Sequence, residues 1–209
     1  MNFDTNIATT HYANDMSHIQ IVYYSSNEST HLLAEAIQQG AAEHGRARLL
    51  RILPQHIQHG RYPIQAFSDE LQDASAIIFG SPTFMGGPAA QFKAFADASS
   101  AGWCRQAWAD KVAAGFTIGG NLNGDQQCTL AYFATLAAQH GMLWCGLDIA
   151  AGHHPDGLNR LGCQLGATAH SPDGKLHPAD LATARHLGQR VAKLARRMQV
   201  PSQTQEKTT

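Results

Sequence analysis

The sequence predicts an α/β fold, a doubly wound parallel sheet of five strands in the order 2-1-3-4-5 with helices on both faces. Short apolar runs alternate about five times with longer amphipathic runs. The short runs carry apolar residues on both faces, which is typical of parallel strands that helices cover on both sides. The right-handed rule for crossover connections then limits the topology to a doubly wound sheet.

Five short runs are predicted strands because of their length and their β-branched and aromatic residues. They cover residues 19–24, 48–53, 74–79, 112–118 and 142–145. Four longer segments carry apolar residues at helical spacing and are predicted helices. They cover residues 30–44, 91–98, 125–140 and 178–198. The polar segment 55–67 is predicted to be a loop.

The size and composition of the chain agree with one globular domain. The chain has 209 residues, of which 44% are hydrophobic and 15% are charged, and this is enough to bury a sizeable core. The predicted domain covers residues 19–198, since no repeat or second domain interrupts the pattern. Residues 1–18 and 199–209 lack hydrophobic periodicity and are predicted to be mobile tails.

The charge balance and the lack of targeting signals exclude several classes of partner. A formal net charge of -1 removes the attraction that a basic domain has for nucleic acid. No apolar run reaches the roughly 18 residues of a membrane span, and residues 1–18 contain no apolar signal-peptide region. The four cysteines form no CxxC motif, so we expect mostly buried, reduced thiols in a cytoplasmic protein.

A polar loop joins the first predicted strand to the first predicted helix. It consists of Ser25, Ser26, Asn27, Glu28, Ser29 and Thr30. Its hydroxyls, its amide and the free N–H groups of a helix N-terminus could hold a phosphate without any lysine or arginine. An ordinary helix cap explains the same residues about equally well. The nucleotide motifs GxxxxGKS/T and GxGxxG do not occur.

Two further loops follow the third and fourth predicted strands. The second loop contains Pro82, Thr83, Phe84, Met85 and Gly86, and the third contains Thr117, Ile118, Gly119, Gly120, Asn121, Asn123 and Gly124. Glycines permit close backbone approach to a ligand, and Phe and Met side chains suit an aromatic ring. The alternative for the second loop is a turn whose Phe84 packs into the core.

The predicted strand order brings the three loops together. The first, third and fourth strands are neighbours in a 2-1-3-4-5 sheet, so their loops meet at one crevice beyond the carboxyl ends. One loop that suits a monophosphate and two that suit a flat, uncharged ring are together typical of a site for flavin mononucleotide (FMN).

Three stretches of the chain carry a family resemblance. VYYSSNESTHLLA is similar to the phosphate loop of flavodoxin-like proteins, while FGSPTFMGGPAAQFKAFAD and FTIGGNLNGDQQCTLAYFATLAAQHGM resemble the tryptophan-repressor-binding-protein (WrbA) type of NAD(P)H:quinone oxidoreductase. The resemblance spans residues 19–198. It implies a flavodoxin-like fold and hydride transfer from NADH or NADPH, through FMN, to a quinone-like acceptor. It also implies a homo-oligomer, either a dimer or a tetramer.

The resemblance implies FMN contacts in the three loops and roles for residues outside them. It implies that His140 donates a hydrogen bond to the flavin pyrimidine ring. It also implies a substrate-pocket wall at Trp103, shared between subunits, with Phe84 beside the same pocket. Without the resemblance, His140 is equally a cap for the helix dipole, and Trp103 is equally a core residue.

Glu28 departs from the family pattern, which has glycine or another small or uncharged residue at that position. A carboxylate pointing at a phosphate would repel it, so Glu28 either turns outward or weakens cofactor binding. Two other functions stay open: a single-electron carrier, which the net charge of -1 disfavours, and an FMN-binding module without turnover. His153 and His154 are predicted to lie in a solvated loop, and no metal site is predicted.

Overall fold

The computed structural model describes residues 16–199, with the backbone alone for residues 66–68. The strands are β1 (His18–Tyr23), β2 (Arg46–Arg51), β3 (Ala76–Phe84), β4 (Gly87–Pro88), β5 (Val112–Gly119), β6 (Leu143–Trp144) and β7 (Ala167–His170). The helices are α1 (Glu28–Ala42), α2 (Ser68–Gln72), α3 (Ala90–Ala98), α4 (Ser100–Trp103), α5 (Gln126–Gln139) and α6 (Pro178–Met198). No helix in residues 16–199 has the length and apolar character that a bilayer crossing requires.

The sheet has the order β2-β1-β3-β5-β6, and each neighbouring pair on this path is parallel. The fifth position is divided between two short strands. β6 pairs with Val112 and Ala113 at the start of β5, and β7 pairs with the last four residues of β5. The predicted doubly wound fold is confirmed, although the described chain has seven strands instead of five.

Three local predictions differ from the structure. β3 continues through residues 80–84, where a loop is predicted, because β5 pairs with it as far as Pro82 and the short antiparallel β4 pairs with its last two residues. β7 has no counterpart among the predicted strands, since its four residues are too few for a periodic pattern. The predicted loop 55–67 contains two 3-10 turns, Pro54–His56 and Ile64–Phe67.

The described ends and the cysteines also differ in part from expectation. His18, placed in the predicted amino-terminal tail, is the first residue of β1. Residues 1–15 and 200–209 of the two predicted tails lie outside the described residues. All four cysteines are free thiols, but Cys104 and Cys128 are exposed, so the expectation of mostly buried thiols is wrong.

The core forms two layers, one on each face of the sheet. Alternate residues of the central strands point to opposite faces, as the pleat requires. One layer packs under α1 and α6, and it includes Ile21, Ile78 and Phe116. The other packs under α3 and α5 around an aromatic group that consists of Phe79, Phe92, Phe95, Trp108 and Phe133.

Helices α1 and α6 approach closely because glycines lie at their contact. A Cβ added to Gly188 would lie 2.1 Å from the Ile37 carbonyl oxygen, and one added to Gly40 would lie 1.9 Å from the Arg185 carbonyl oxygen. The contact atoms belong to the backbone and cannot rotate away. This contact orients the amino end of α1, which carries the first polar loop.

We expect Gly188→Ala to lower the free energy of unfolding by about 1–3 kcal/mol, because the new methyl group forces the two helices apart. Urea unfolding of the apoprotein measures this change. Gly120→Ala is the matched control, since a Cβ at Gly120 meets no atom within 4 Å. Equal unfolding midpoints for the two variants would contradict the tight helix contact.

Candidate functional site

The three predicted loops converge at one edge of the sheet. β1, β3 and β5 are adjacent and parallel, so their carboxyl ends lie side by side. Tyr23 lies level with Gly80, and Pro82 lies level with Ile118. Residues 25–30, 82–86 and 119–124 therefore border a single crevice, at the position where doubly wound sheets bind their ligands.

The first loop presents the amino end of α1 to this crevice. The Asn27 side chain caps the helix by accepting a hydrogen bond from the Ser29 N–H at 3.3 Å, and the Ser25 hydroxyl donates to the Asn27 carbonyl. Thr30 is fully buried, yet its hydroxyl has no hydrogen-bond partner. A buried hydroxyl without a partner is costly, and beside a helix N-terminus it fits a phosphate oxygen. The loop therefore fits the phosphate of FMN.

Glu28 turns away from the interior of this loop. Its carboxylate pairs with the Arg51 guanidinium at 3.3 Å, and its side chain is 67% exposed. Arg51 reaches the loop because it ends β2 directly beside Tyr23 at the end of β1. The outward orientation is one of the two possibilities that the sequence leaves open.

The second loop is a hairpin that joins β3 to β4. Met85 and Gly86 form its two-residue turn, and both have positive φ, at 48° and 77°, as a type I′ turn requires. Met85 is fully exposed and Phe84 is 50% exposed. Phe84 therefore does not pack into the core, and the hairpin presents apolar side chains to the crevice.

A chain of threonine hydroxyls anchors the second loop to the third. Thr117 donates to the Ser81 carbonyl at 2.7 Å, so its oxygen accepts from Thr83 at 2.8 Å. Thr83 has then used its proton and accepts from Thr129 at 2.8 Å. The chain connects β3, β5 and α5 and holds the two loops in register.

The third loop exposes its main chain after Gly119. Thr117 and Ile118 are buried residues of β5, whereas Gly120, Asn121 and Asn123 are exposed. The buried Gln126 side chain donates to the Asn121 carbonyl at 3.2 Å and braces the turn. The polar groups that this loop offers a ligand therefore come from residues 119–124.

A fourth loop at this edge was not predicted. Residues 171–177 follow β7, and the Gly174 carbonyl accepts a hydrogen bond from the Ser29 hydroxyl at 3.3 Å. Lys175 follows directly in an exposed turn, where its N–H donates to the Asp173 carboxylate. The signal that could have revealed this loop is SPDGK, a turn sequence before the proline that begins α6.

His140 and Trp103 lie at the opposite edge of the sheet. His140 directly follows the last residue of α5. Three residues later β6 begins beside Val112, the first residue of β5, so His140 lies near the amino ends of the strands. α5 has 14 residues and spans about 20 Å, which separates His140 from the three loops of its own chain. Trp103 is 45% exposed, and the two residues line one groove of about 440 Å³.

Burial favours a neutral His140 ring, and its hydrogen bonds place the proton on Nε2. The Ser99 hydroxyl donates to the Ala96 carbonyl at 2.6 Å, so it accepts from His140 Nε2 at 2.9 Å. Nδ1 is then an acceptor, and it is buried without a partner. The ring packs against Trp108 with centroids 4.2 Å apart. In this arrangement the unpartnered nitrogen of His140 could only accept a hydrogen bond, whereas the resemblance implies a donor.

Burial lowers the pKa of His140 below its ordinary value of 6.5. The unfolded chain therefore binds more protons than the folded chain as the pH falls below that value, and acid destabilises the fold. Between about pH 7.5 and 5.5, we expect the free energy of unfolding to fall more steeply in the wild type than in His140→Gln. Urea unfolding across this range measures both slopes, and identical slopes would contradict a neutral, buried ring.

The described residues contain no group of three or more His, Cys, Asp or Glu side chains that could hold a metal ion. His153 is exposed, and its ring bonds the Ala151 carbonyl. His154 is partly buried and accepts a hydrogen bond from the Asp156 N–H.

The family model for NADPH-dependent FMN reductase matches residues 23–154. Flavodoxin FldP of Pseudomonas aeruginosa (strain UCBPP-PA14) is 39% identical over 192 residues, which cover 88% of this chain and 99% of that protein. A protein named NAD(P)H dehydrogenase (quinone) from Geotalea daltonii is 33% identical over 197 residues, covering 85% and 96% of the two chains. The solved structure of a "flavodoxin, WrbA-like protein" from Agrobacterium tumefaciens has 40% sequence identity and a TM-score of 0.68. The match covers 87% of this chain and 98% of that chain.

The match to the family model includes the three predicted loops that converge at one edge of the sheet. The chain therefore belongs to the NADPH-dependent FMN reductase family, and it is an FMN-dependent oxidoreductase with the predicted flavodoxin-like fold.

Proposed function

We propose that this protein transfers a hydride from NADH or NADPH, through FMN, to a quinone or a similar flat acceptor. The observation that carries the proposal is the buried, unpartnered Thr30 hydroxyl at the amino end of α1, at the crevice that three loops border. The relatives named NAD(P)H dehydrogenase (quinone) support the same reaction class.

FMN, when bound, supplies the hydride chemistry, and the protein binds and orients it. Residues 25–30 would hold the phosphate, and residues 82–86 and 119–124 would contact the ring. The exposed Phe84 and Met85 side chains provide a flat, apolar surface against which the ring, the nicotinamide or the acceptor can stack. Stacking surfaces discriminate weakly among flat molecules, so several quinone-like acceptors should be used.

We also propose that the protein is a homo-oligomer in which His140 and Trp103 complete the site of a second subunit. Within one chain, the length of α5 keeps His140 far from the loops, and Trp103 lies in the same groove as His140. Their common groove and the unpartnered Nδ1 of His140 support contact with a molecule from outside this chain. As placed, Nδ1 would accept a hydrogen bond, for example from the N–H of a flavin ring.

The first experiment is an anaerobic titration of the FMN-loaded protein with NADPH and then NADH, followed by visible flavin absorption. Rapid bleaching that a quinone reverses is the expected result, and it identifies the preferred donor. Bound flavin that neither nicotinamide reduces would overturn the proposed reaction.

Subunit mixing tests the shared site. Thr30→Glu should abolish FMN binding, whereas the double variant Trp103→Ala, His140→Ala should bind FMN but turn over slowly. If sites are shared, mixed oligomers regain activity. The FMN bound to a subunit of the double variant then meets the intact Trp103 and His140 side chains of a Thr30→Glu subunit. Activity that never exceeds the sum of the two separate variants would contradict the shared site.

A second candidate function is that of a single-electron carrier, because one relative with 39% identity is named a flavodoxin. The net charge of -1 disfavours it, since carriers use strong charge to speed encounters with partners. Flavin that stays oxidised with nicotinamides but accepts electrons from a protein reductase would favour the carrier. We further propose a cytoplasmic protein that binds no nucleic acid, on the basis of its charge and its free thiols.

A further inference from the structure

The charges around the first loop are arranged in an unusual way for an anion site. Glu28 is the acidic residue of the first turn of α1, at the positive end of the helix dipole where a phosphate would also bind. Its carboxylate lies 3.3 Å from the Arg51 guanidinium. Glu28 thus lies in the helix turn where a phosphate would bind and pairs with the Arg51 guanidinium that could also contact the phosphate.

Arg51 is within reach of the loop interior as well as of Glu28. The same terminal nitrogen, Nη2, lies 3.5 Å from the Ser25 carbonyl oxygen, and Ser25 is buried at the start of the loop. The Arg51 side chain is partly exposed and the Glu28 side chain mostly exposed, so neither is locked by packing. A small rotation of the guanidinium exchanges one oxygen partner for another.

The neighbouring charges do not replace Arg51. The His31 ring forms a hydrogen bond with the Tyr23 hydroxyl and contacts Glu35 one turn further along α1, which leaves it directed along the helix. Lys175 follows Gly174 in an exposed turn, where its backbone N–H donates to the Asp173 carboxylate. Arg51, in contrast, contacts both the Glu28 carboxylate and the Ser25 carbonyl of the loop.

We propose that Arg51 selects phosphorylated flavin and that Glu28 competes with the flavin phosphate for it. This inference rests on the proposed binding of FMN at residues 25–30. On FMN binding, the guanidinium exchanges the Glu28 carboxylate for the phosphate, while riboflavin leaves the Arg51–Glu28 pair intact. The freed Glu28 carboxylate then lies near the bound phosphate dianion. Repulsion between the two negative charges makes FMN easier to release.

The test compares dissociation constants for FMN and for riboflavin, measured by flavin fluorescence quenching on apoprotein. Arg51→Gln should weaken FMN binding about tenfold, since a charge-assisted hydrogen bond is lost, and should leave riboflavin binding unchanged. Glu28→Gln should tighten FMN binding about threefold to tenfold by removing the competing charge, again without effect on riboflavin.

Glu43→Gln is the matched control, because Glu43 lies at the other end of α1 and also pairs with an arginine, Arg185 at 2.7 Å. It should change neither affinity. Raising the salt concentration should narrow the difference between the FMN dissociation constants of the wild type and Glu28→Gln.

The outcomes separate this inference from the proposed function. Wild-type protein that binds neither flavin would overturn both. Wild-type protein that binds FMN, with an unchanged ratio of FMN to riboflavin affinity in Arg51→Gln, would overturn this inference alone. Weaker FMN binding in Glu28→Gln would also overturn it, since the carboxylate would then support the site.

Discussion

Thr30→Val should bind FMN at least about tenfold more weakly than the wild type, because it removes one hydrogen bond to a charged phosphate oxygen. The free energy of unfolding of the apoprotein should not fall. The Thr30 hydroxyl has no partner in the folded chain, so valine removes a buried polar group that nothing satisfies. Fluorescence titration with FMN and urea unfolding of the apoprotein measure the two effects.

Thr183→Val is the matched control for this result. Thr183 is also a buried helical threonine, but its hydroxyl donates to the Ala179 carbonyl at 2.7 Å and accepts from the Asn159 N–H at 2.8 Å. We expect this variant to lose stability and to keep its FMN affinity. A loss of apoprotein stability in Thr30→Val, with FMN affinity intact, would mean that the hydroxyl supports the fold and does not bind the cofactor.

Asp180→Ala should lower the free energy of unfolding by about 3–5 kcal/mol, which is the cost of breaking a buried ion pair from one side. Asp180 is 2% exposed and accepts two hydrogen bonds from Arg160, each 2.7 Å long. Its carboxylate also accepts the His170 N–H at the end of β7. The substitution leaves these donors unpaired and releases the segment between β6 and β7. Urea unfolding measures the stability, and limited proteolysis measures the release.

Asp148→Ala provides the comparison for Asp180→Ala. Asp148 also has two partners, Arg190 at 2.6 Å and His186 at 2.7 Å, but its side chain is 46% exposed. Because water screens this cluster, we expect a loss of about 1 kcal/mol or less. Equal losses in the two variants would mean that burial of the Arg160–Asp180 pair does not determine its contribution.

The convergence of the three candidate loops was predictable because each loop depends on local chemistry and on the strand order. A serine-rich turn after Tyr23 and glycine-rich turns after Phe79 and Ile118 follow strands that periodicity already identifies. Neighbouring parallel strands end at one edge, so the loops had to meet. The fourth loop, 171–177, escaped prediction because β7 has only four residues and forms by pairing with β5, which is remote in the sequence.

The side-chain arrangement at the candidate site depends on contacts between distant parts of the chain. Glu28 turns outward because Arg51, 23 residues later, reaches it from β2. Phe84 is exposed because β3 continues into a hairpin and not into a turn that packs against the core. No local pattern encodes either outcome, since each follows from the register between strands.

The order of amino acids determines the fold class, the strand order and the crevice that should hold FMN, because hydrophobic periodicity and turn chemistry are local properties. Only the tertiary structure decides which groups in that crevice have partners: the Thr30 hydroxyl without one, Glu28 with Arg51, and Ser29 with Gly174. It also decides that His140 and Trp103 lie at the opposite edge of the sheet. α5 carries the chain back along β5 before it reaches His140, and Trp103 lines the same groove as His140.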